Sequence, residues 1–326
     1  MKKKILKLII LLLLLAVLGV VFAKYTLPRK HIIMRGLVYR AWQLSNIGLQ
    51  HPALALYNMA ASMEPDYYQT YVFRGDTYLM LKNDKKAEED YLRTLELKPG
   101  DQHAISSLSL LYTFNKNYQR AIEGYGKAIK VDPSQSDFYY TQIGLNYHYL
   151  KDYRNSLAAY DKVKNPKPKY SNVYCLRATT YLDMHEYELS EAECEKALEL
   201  DPSQQETFVA MLDIIQRAKE RYKSNLIELD VLINHLTENP TDVNKYFTMA
   251  RVYSEMRMPE KAIQCYTTII EINKNSSQTQ NAYYNRARIY YEDLGDTLKA
   301  IEDMKSVAMT DEASAKKWLK EHKISF

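Results

Sequence analysis

Residues 71–100 read YVFRGDTYLMLKNDKKAEEDYLRTLELKPG, and residues 105–133 repeat the same order of residue types as ISSLSLLYTFNKNYQRAIEGYGKAIKVDP. Each stretch sets a small residue (Gly75, Ser109), a tyrosine three places on (Tyr78, Tyr112), a second small residue (Ala87, Ala121) and a second tyrosine four places beyond it (Tyr91, Tyr125). Residues three and four apart share a helix face, so the spacing predicts two amphipathic helices per stretch. The small residue lets the two backbones approach, and the large neighbour fills the space beside it. A proline (Pro99, Pro133) closes each stretch, since it cannot continue the helical hydrogen-bond ladder.

The pattern extends outward in both directions. Pro65, Pro99 and Pro133 are each 34 apart, Pro168 follows after 35, Pro202 after 34 and Pro240 after 38. In units beginning at Met34, Tyr68, Gln102, Asp137, Ser171, Val243 and Gln280, the eighth residue is always small: Ala41, Gly75, Ser109, Gly144, Ala178, Ala250 and Ala287. The eleventh is Leu44, Tyr78, Tyr112, Tyr147, Tyr181, Tyr253 and Tyr290. The second helices repeat Ala53, Ala87, Ala121, Ser156, Ser190, Ala262 and Ala300, followed four places later by Tyr57, Tyr91, Tyr125, Tyr160, Cys194, Tyr266 and Met304. A lone hairpin of this kind leaves an apolar face open, so the units are expected to stack.

This small, aromatic, small, aromatic, proline unit of 34 residues resembles the tetratricopeptide repeat family, over about residues 34–314. The resemblance implies an all-α solenoid, a right-handed superhelix of about eight helical hairpins whose first helices line a concave surface that holds peptides or partner domains. It implies no chemistry and no cofactor. Five regular units are expected over 34–204, two more over 243–314 and a capping helix over 315–326, with Trp318 and Leu319 turned inward. Between them, 205–242 departs from the pattern. Leu212 stands where a small residue belongs, and the expectation is a divergent hairpin, with Phe208, Leu212 and Ile215 on one helix and Leu226, Leu229, Ile233 and Leu236 on the other.

Lys2, Lys3 and Lys4 precede an apolar run from Leu8 to Phe22, which marks residues 1–23 as a membrane-targeting element and 24–33 as a linker. As a helix, Ile5 to Ala23 would rise about 28 Å, near the thickness of a hydrocarbon core. It serves either as an uncleaved anchor or as a signal peptide cut after Ala23. The lysines favour a retained cytoplasmic N-terminus with the body on the periplasmic side.

The chain carries +4 overall, but seven of its 44 basic residues precede the repeats, leaving 37 against 40 acidic ones, about −3 for the body. That balance gives no footprint for nucleic acid. Cys175, Cys194 and Cys265 form no CxxC pair and are expected to pack in helices. Gly124-Tyr125-Gly126-Lys127 lacks phosphate-loop spacing and a preceding strand, so its glycines are read as packing against the next helix. The seven histidines provide no metal spacing, and no nucleophile elbow or HExxH helix occurs. The expectation is therefore a binding protein with no catalytic, metal or cofactor site, no small-molecule substrate, and proteins or peptides as partners.

Within that reading, the second, fifth, ninth and twelfth places of the first helices share the candidate binding face. In the last two units they supply Asn244, Phe247, Arg251, Asn281, Tyr284, Arg288 and Tyr291, with Asn285 one step away. Asn can bond both polar groups of a peptide backbone, Arg a carboxylate, and Tyr adds contact area at low entropy cost. In the family, chaperone tails are held by Lys and Asn on successive first helices; Val38, Trp42, Val72 and Asp76 cannot build that clamp. The function expected is a membrane-anchored or exported scaffold of the cell envelope; the alternative is a receptor for precursor proteins or chaperones with its body toward the cytosol.

Overall fold

A computed structural model describes residues 30–164, 172–273, 276–308, 312–322 and 324. The described residues form helices and connecting turns with no strand, an all-α solenoid of hairpins. The apolar run Leu8–Phe22 lies outside them. Among them, no helix is long and apolar enough to cross a membrane.

Chain contacts divide the protein into two compact units, Met1–Phe208 and Val209–Phe326. The first holds helix α1 (30–46), α2 (Gln50–Met63), α3 (Tyr68–Met80), α4 (Asp84–Leu97), α5 (Gln102–Phe114), α6 (Tyr118–Val131), α7 (Ser136–Tyr149), α8 (Tyr153–Tyr160), α9 (Asn172–Asp183) and α10 (Tyr187–Leu200). Helix α11 (Gln205–Glu238) begins there. The second unit holds the rest of α11 with α12 (Val243–Glu255), α13 (Pro259–Ile272), α14 (Ser277–Glu292), α15 (Thr297–Ala308) and α16 (Glu312–Glu321).

Within each hairpin the packing follows the sequence register. Ala41, Ala178, Ala250 and Ala287 are wholly buried, as are Ala53, Ala87, Ala121, Ser156, Ser190, Ala262 and Ala300 on the second helices. Tyr57, Tyr91, Tyr125 and Tyr160 are almost completely excluded from solvent, with Cys194 and Met304 equally buried at the corresponding places. A Cβ on Gly75 would come 2.9 Å from the Tyr91 ring, and one on Gly144 would collide with Tyr160. Two units therefore use the absence of any side chain, where the others tolerate one methyl or hydroxymethyl.

The turn inside each hairpin carries a second regularity. Lys82, Lys116, Lys151, His185 and Arg257 have φ between 54° and 62°, and Gly48 and Gly295 occupy the same turn at 86° and 67°. In the third unit, Lys116 N–H donates to Thr113 and Asn117 N–H to the carbonyl of Tyr112, which closes the helix by paired bonds from a left-handed residue. The second-helix starts are also capped: Asn83 and Asp152 accept from the backbone N–H of Lys86 and Asn155.

An arginine at the seventh place joins successive hairpins. Arg74 is bidentate to Asp90 of its own hairpin and donates from Nη1 to Asn58 of the hairpin before, at 2.8 Å. Arg286 repeats this with Asp303 and Thr267, whereas Arg177 makes looser single ion pairs with Glu193 and Asp161 at 3.2 and 3.1 Å. Burial pushes the Asp90 and Asp303 carboxyls up, against the opposing pull of their arginines.

The divergent hairpin expected over 205–242 does not form. Gln205–Glu238 is one continuous helix of 34 residues. Neither Gly nor Pro interrupts it, and the central segment QRAKERYKS is rich in good helix formers. With Leu212 at the eighth place there is also no gap for a second backbone to enter. Its buried row is Phe208, Ile215, Asn225, Leu229, Leu232 and Leu236, whereas Leu226 and Ile233 are exposed. The C-terminal cap does pack inward: Trp318 and Leu319 of α16 join Ala287, Ala300, Met304 and Val307.

Candidate functional site

The candidate face in the second unit is built on α12 and α14, the first helices of the last two hairpins. Asn244, Arg251, Asn281 and Arg288 are exposed, and Phe247, Tyr284, Asn285 and Tyr291 are half-buried. Asp242 caps α12 by accepting from Lys245 N–H, and Ser276 caps α14 by accepting from Thr279 N–H. These caps fix where both helices begin.

The polar residues are connected across the two helices. Gln278 Nε2 donates to Asn244 Oδ1 at 3.1 Å, bridging α14 to α12. Arg251 reaches Glu228 of α11 at 2.8 Å and Glu255 at 2.5 Å, while Arg288 makes two 3.1 Å bonds to Glu292. Both guanidiniums are thus already matched by carboxylates, and the i,i+4 spacing of Arg251 with Glu255 and Arg288 with Glu292 was visible in the sequence. Exposed pairs of this kind are weak, so another carboxylate can replace either glutamate.

The aromatic members divide. Phe247 sits edge-on to Tyr266 at 5.9 Å, and Tyr284 packs partly against the cap cluster. Tyr291 meets the stacked Trp318–His322 pair edge-on, with centroids 5.3 and 4.7 Å away, so it anchors the cap more than it faces solvent. Asn281, Asn285, Arg251, Arg288 and the open edges of Phe247 and Tyr284 form the accessible surface.

The glycine string of α6 has a structural role in one of its two glycines. A Cβ on Gly124 would collide with Ser109 of α5, the other helix of the same hairpin, and not with the next helix as expected; around Gly126 nothing lies within 4 Å. Cys194 and Cys265 are buried and pushed up to about 11 by that burial, and Cys175 is partly buried. Among the described residues, no three His, Cys, Asp or Glu side chains converge as metal ligands would.

Through-space pairing escaped the sequence reading of the histidines. His103 Nε2 lies 2.9 Å from both oxygens of Asp76, which also accepts the Tyr91 hydroxyl at 2.7 Å. The hydrogen bond to Asp76 raises the His103 pKa. His31 meets Glu64, His148 meets Asp183 and His235 meets Asp242, at 2.8, 3.4 and 2.9 Å. Three of these four pairs join residues 27 to 35 apart, beyond the reach of any local spacing rule.

A second surface, unforeseen in the sequence, lies on the first hairpin. Tyr39 and Trp42 stack at 6.0 Å and stay largely exposed. With Arg35, Val38, Gln69 and Phe73 they line a groove of about 360 Å³ between α1 and α3. A larger groove of about 710 Å³ follows the flank of α1, lined by Leu37, Arg40, Leu44, Ile47 and Leu56 with Trp42 at its rim.

The tetratricopeptide repeat pattern matches residues 68–101, 103–135, 171–204, 246–276 and 280–320, together more than half of the chain. The chain belongs to the tetratricopeptide repeat family. Two curated relatives share part of the array. Protein O-mannosyl-transferase TMTC3 of Homo sapiens is 34% identical over 76 residues, 21% of this chain and 8% of that protein. The Mus musculus protein of the same name is 39% identical over 57 residues, 18% of this chain and 6% of the other. The chain spans less than a tenth of the length of these relatives. Among solved structures, a tetratricopeptide repeat protein from Parabacteroides merdae has a TM-score of 0.47 at 16% identity, covering 88% of this chain and 97% of its own. MamA from Desulfovibrio magneticus RS-1 has a TM-score of 0.48 at 18% identity, covering 54% and 97%. The repeat array makes this tetratricopeptide protein a protein-interaction scaffold.

Proposed function

We propose that this scaffold captures extended segments of partner proteins on the α12 and α14 faces, while residues 1–23 tether it to a membrane with the array on the periplasmic side. The observation that supports the first part is the pairing of Arg251 and Arg288 with displaceable surface glutamates beside Asn281 and Asn285. A partner carboxylate takes the place of Glu255 or Glu292, and the asparagines bond its backbone. The hairpins hold these groups in place beforehand, so the ordering cost falls mainly on the partner segment.

The tether rests on the apolar run Leu8–Phe22 and the four lysines before it. Cross-linking in intact cells, compared between the wild type and an Arg251→Ala/Arg288→Ala variant, tests the site. Loss of specific cross-linked partners with an unchanged melting curve supports it, and an unchanged partner set sinks it. Protease shaving from each side of the membrane tests the placement: a body cut from the cytosol refutes the periplasmic assignment, and a mature chain starting at Lys24 refutes the tether.

A further inference from the structure

The outer flank of the first hairpin is built unlike the end of a water-facing array. Ile33, Leu37, Arg40, Leu44 and Ile47 are spaced four, three, four and three apart and so form one stripe along α1 and into the turn that follows it. Ile33 is 56% and Ile47 71% exposed, and Leu37 and Leu44 line the open 710 Å³ groove with Leu56 of α2. A terminal repeat in water needs a polar outer face. At the opposite end of the chain α16 supplies cover with Trp318 and Leu319, whereas among the described residues no helix covers Ile33 and Ile47 at the ends of the α1 stripe.

Charge distribution says what suits this flank. Residues 1–63 contain nine Lys and Arg and not one Asp or Glu, the first acidic residue being Glu64. The remaining 263 residues hold 35 basic and 40 acidic residues. On the hairpin itself Arg35 and Arg40 are exposed, Arg40 within the apolar stripe and Arg35 beside the Tyr39–Trp42 stack. Apolar side chains, a Trp–Tyr pair and arginines on helices that hold no acidic residue are the combination that settles at a bilayer interface, with aromatic rings at headgroup level and guanidiniums on lipid phosphates.

Chain length requires proximity. Seven residues separate Phe22, the end of the apolar run, from Lys30 at the start of α1, a reach of at most about 29 Å. We propose that the first hairpin docks on an anionic lipid surface, seating the Ile33–Leu37–Arg40–Leu44–Ile47 stripe and Trp42 among the headgroups. This rests on the tether proposed above and adds a second membrane contact to it: the first hairpin is held against the lipid surface next to the tether.

The protein has two tryptophans, Trp42 exposed and Trp318 buried, so Trp42 is a native reporter. The full chain is reconstituted into vesicles of phosphatidylcholine with and without phosphatidylglycerol, and the Trp42 signal is isolated by subtracting that of a Trp42→Phe variant. With the anionic lipid, the expected result is a blue-shifted Trp42 emission, loss of quenching by iodide and new quenching by brominated lipid. An Arg35→Gln/Arg40→Gln variant should reverse all three. If the protein floats with the vesicles through an alkaline wash while Trp42 stays open to iodide, the docking is refuted and the tether stands. Failure to float refutes both. Shielding that appears in pure phosphatidylcholine and grows with protein density assigns the stripe to a second copy and overturns the lipid assignment.

Discussion

The Arg74 guanidinium and the Asp90 carboxylate meet as a fork, Nε to Oδ2 at 2.8 Å and Nη2 to Oδ1 at 2.6 Å, between the two helices of one hairpin. Only 17% of the Arg74 side chain and 6% of the Asp90 side chain are exposed. Removing one partner leaves a charge buried without its counterpart, which typically costs about 3–5 kcal/mol. Asp90→Ala is therefore expected to lower stability by about 3 kcal/mol in urea denaturation, while the double change Arg74→Met/Asp90→Leu should recover most of that loss. If the double variant is as unstable as the single one, the fork contributes more than charge compensation.

Two glycines two places apart on α6 should respond in opposite directions. Gly126 has nothing within 4 Å of the position of a Cβ, so Gly126→Ala should stabilise by about 0.5–1 kcal/mol through reduced backbone entropy loss. Gly124 has Ser109 in the way, so Gly124→Ala should overpack the α5–α6 pair and cost about 1–3 kcal/mol. Melting curves that move in the same direction for both variants would contradict this placement.

Three hydroxyls set apart a similar contrast among the repeat tyrosines. Tyr57, Tyr125 and Tyr160 bury their phenol oxygens without a hydrogen-bond partner, and burial pushes Tyr125 up to about 12, whereas Tyr91 donates to Asp76 at 2.7 Å. Tyr160→Phe should therefore leave stability unchanged or raise it, and Tyr91→Phe should lower it by about 0.5–1.5 kcal/mol. A Tyr160→Phe loss as large as that of Tyr91→Phe would show that the Tyr160 hydroxyl is bonded in solution.

The parts of this architecture that were legible in sequence are those repeated on one helix face. Ala53 with Tyr57, or Ala121 with Tyr125, states both partners of a packing contact four residues apart, and the same statement recurs unit after unit. The arginine fork was hidden because Arg74 and Asp90 are 16 apart, and Asn58 lies 16 residues the other way. The continuous helix from Gln205 to Glu238 is hidden from a reading by repeat period, because Leu226, Leu229, Ile233 and Leu236 keep helical spacing whether or not a turn precedes them, and burial alone separates exposed Leu226 and Ile233 from Leu229 and Leu236. At the candidate site the residue types were readable, but the partners of Arg251 include Glu228, which only the fold brings beside it.

The hairpin turns that lack glycine offer another stabilising change. Lys116 holds a φ of 60°, a left-handed conformation that costs an L-residue roughly 1–2 kcal/mol. The corresponding turn in the first hairpin uses Gly48. Allowing for the greater freedom of glycine in the unfolded chain, Lys116→Gly should raise stability by about 0.5–1 kcal/mol. The same change at Lys82 should behave alike, and equilibrium denaturation of the two variants checks both.

The His103–Asp76 pair predicts a pH dependence with a definite sign. The hydrogen bond that His103 donates to the Asp76 carboxylate raises the folded-state pKa of His103 above its ordinary value of about 6.5. A group raised on folding contributes in full below its unfolded pKa, and the contribution disappears as pH rises through the folded one. The melting temperature of the wild type should therefore exceed that of His103→Gln by most near pH 6, with the gap closing by about pH 9. Because half of the imidazole is exposed, screening by water keeps the gap small, and added salt should narrow it further. The Asp101 carboxylate adds to the same upward shift of His103, whereas the bond from the Tyr91 hydroxyl to Asp76 is common to both proteins. A gap that is constant from pH 6 to pH 9 would mean that His103 packs as a neutral ring, and that the pair carries no charge across the two hairpins.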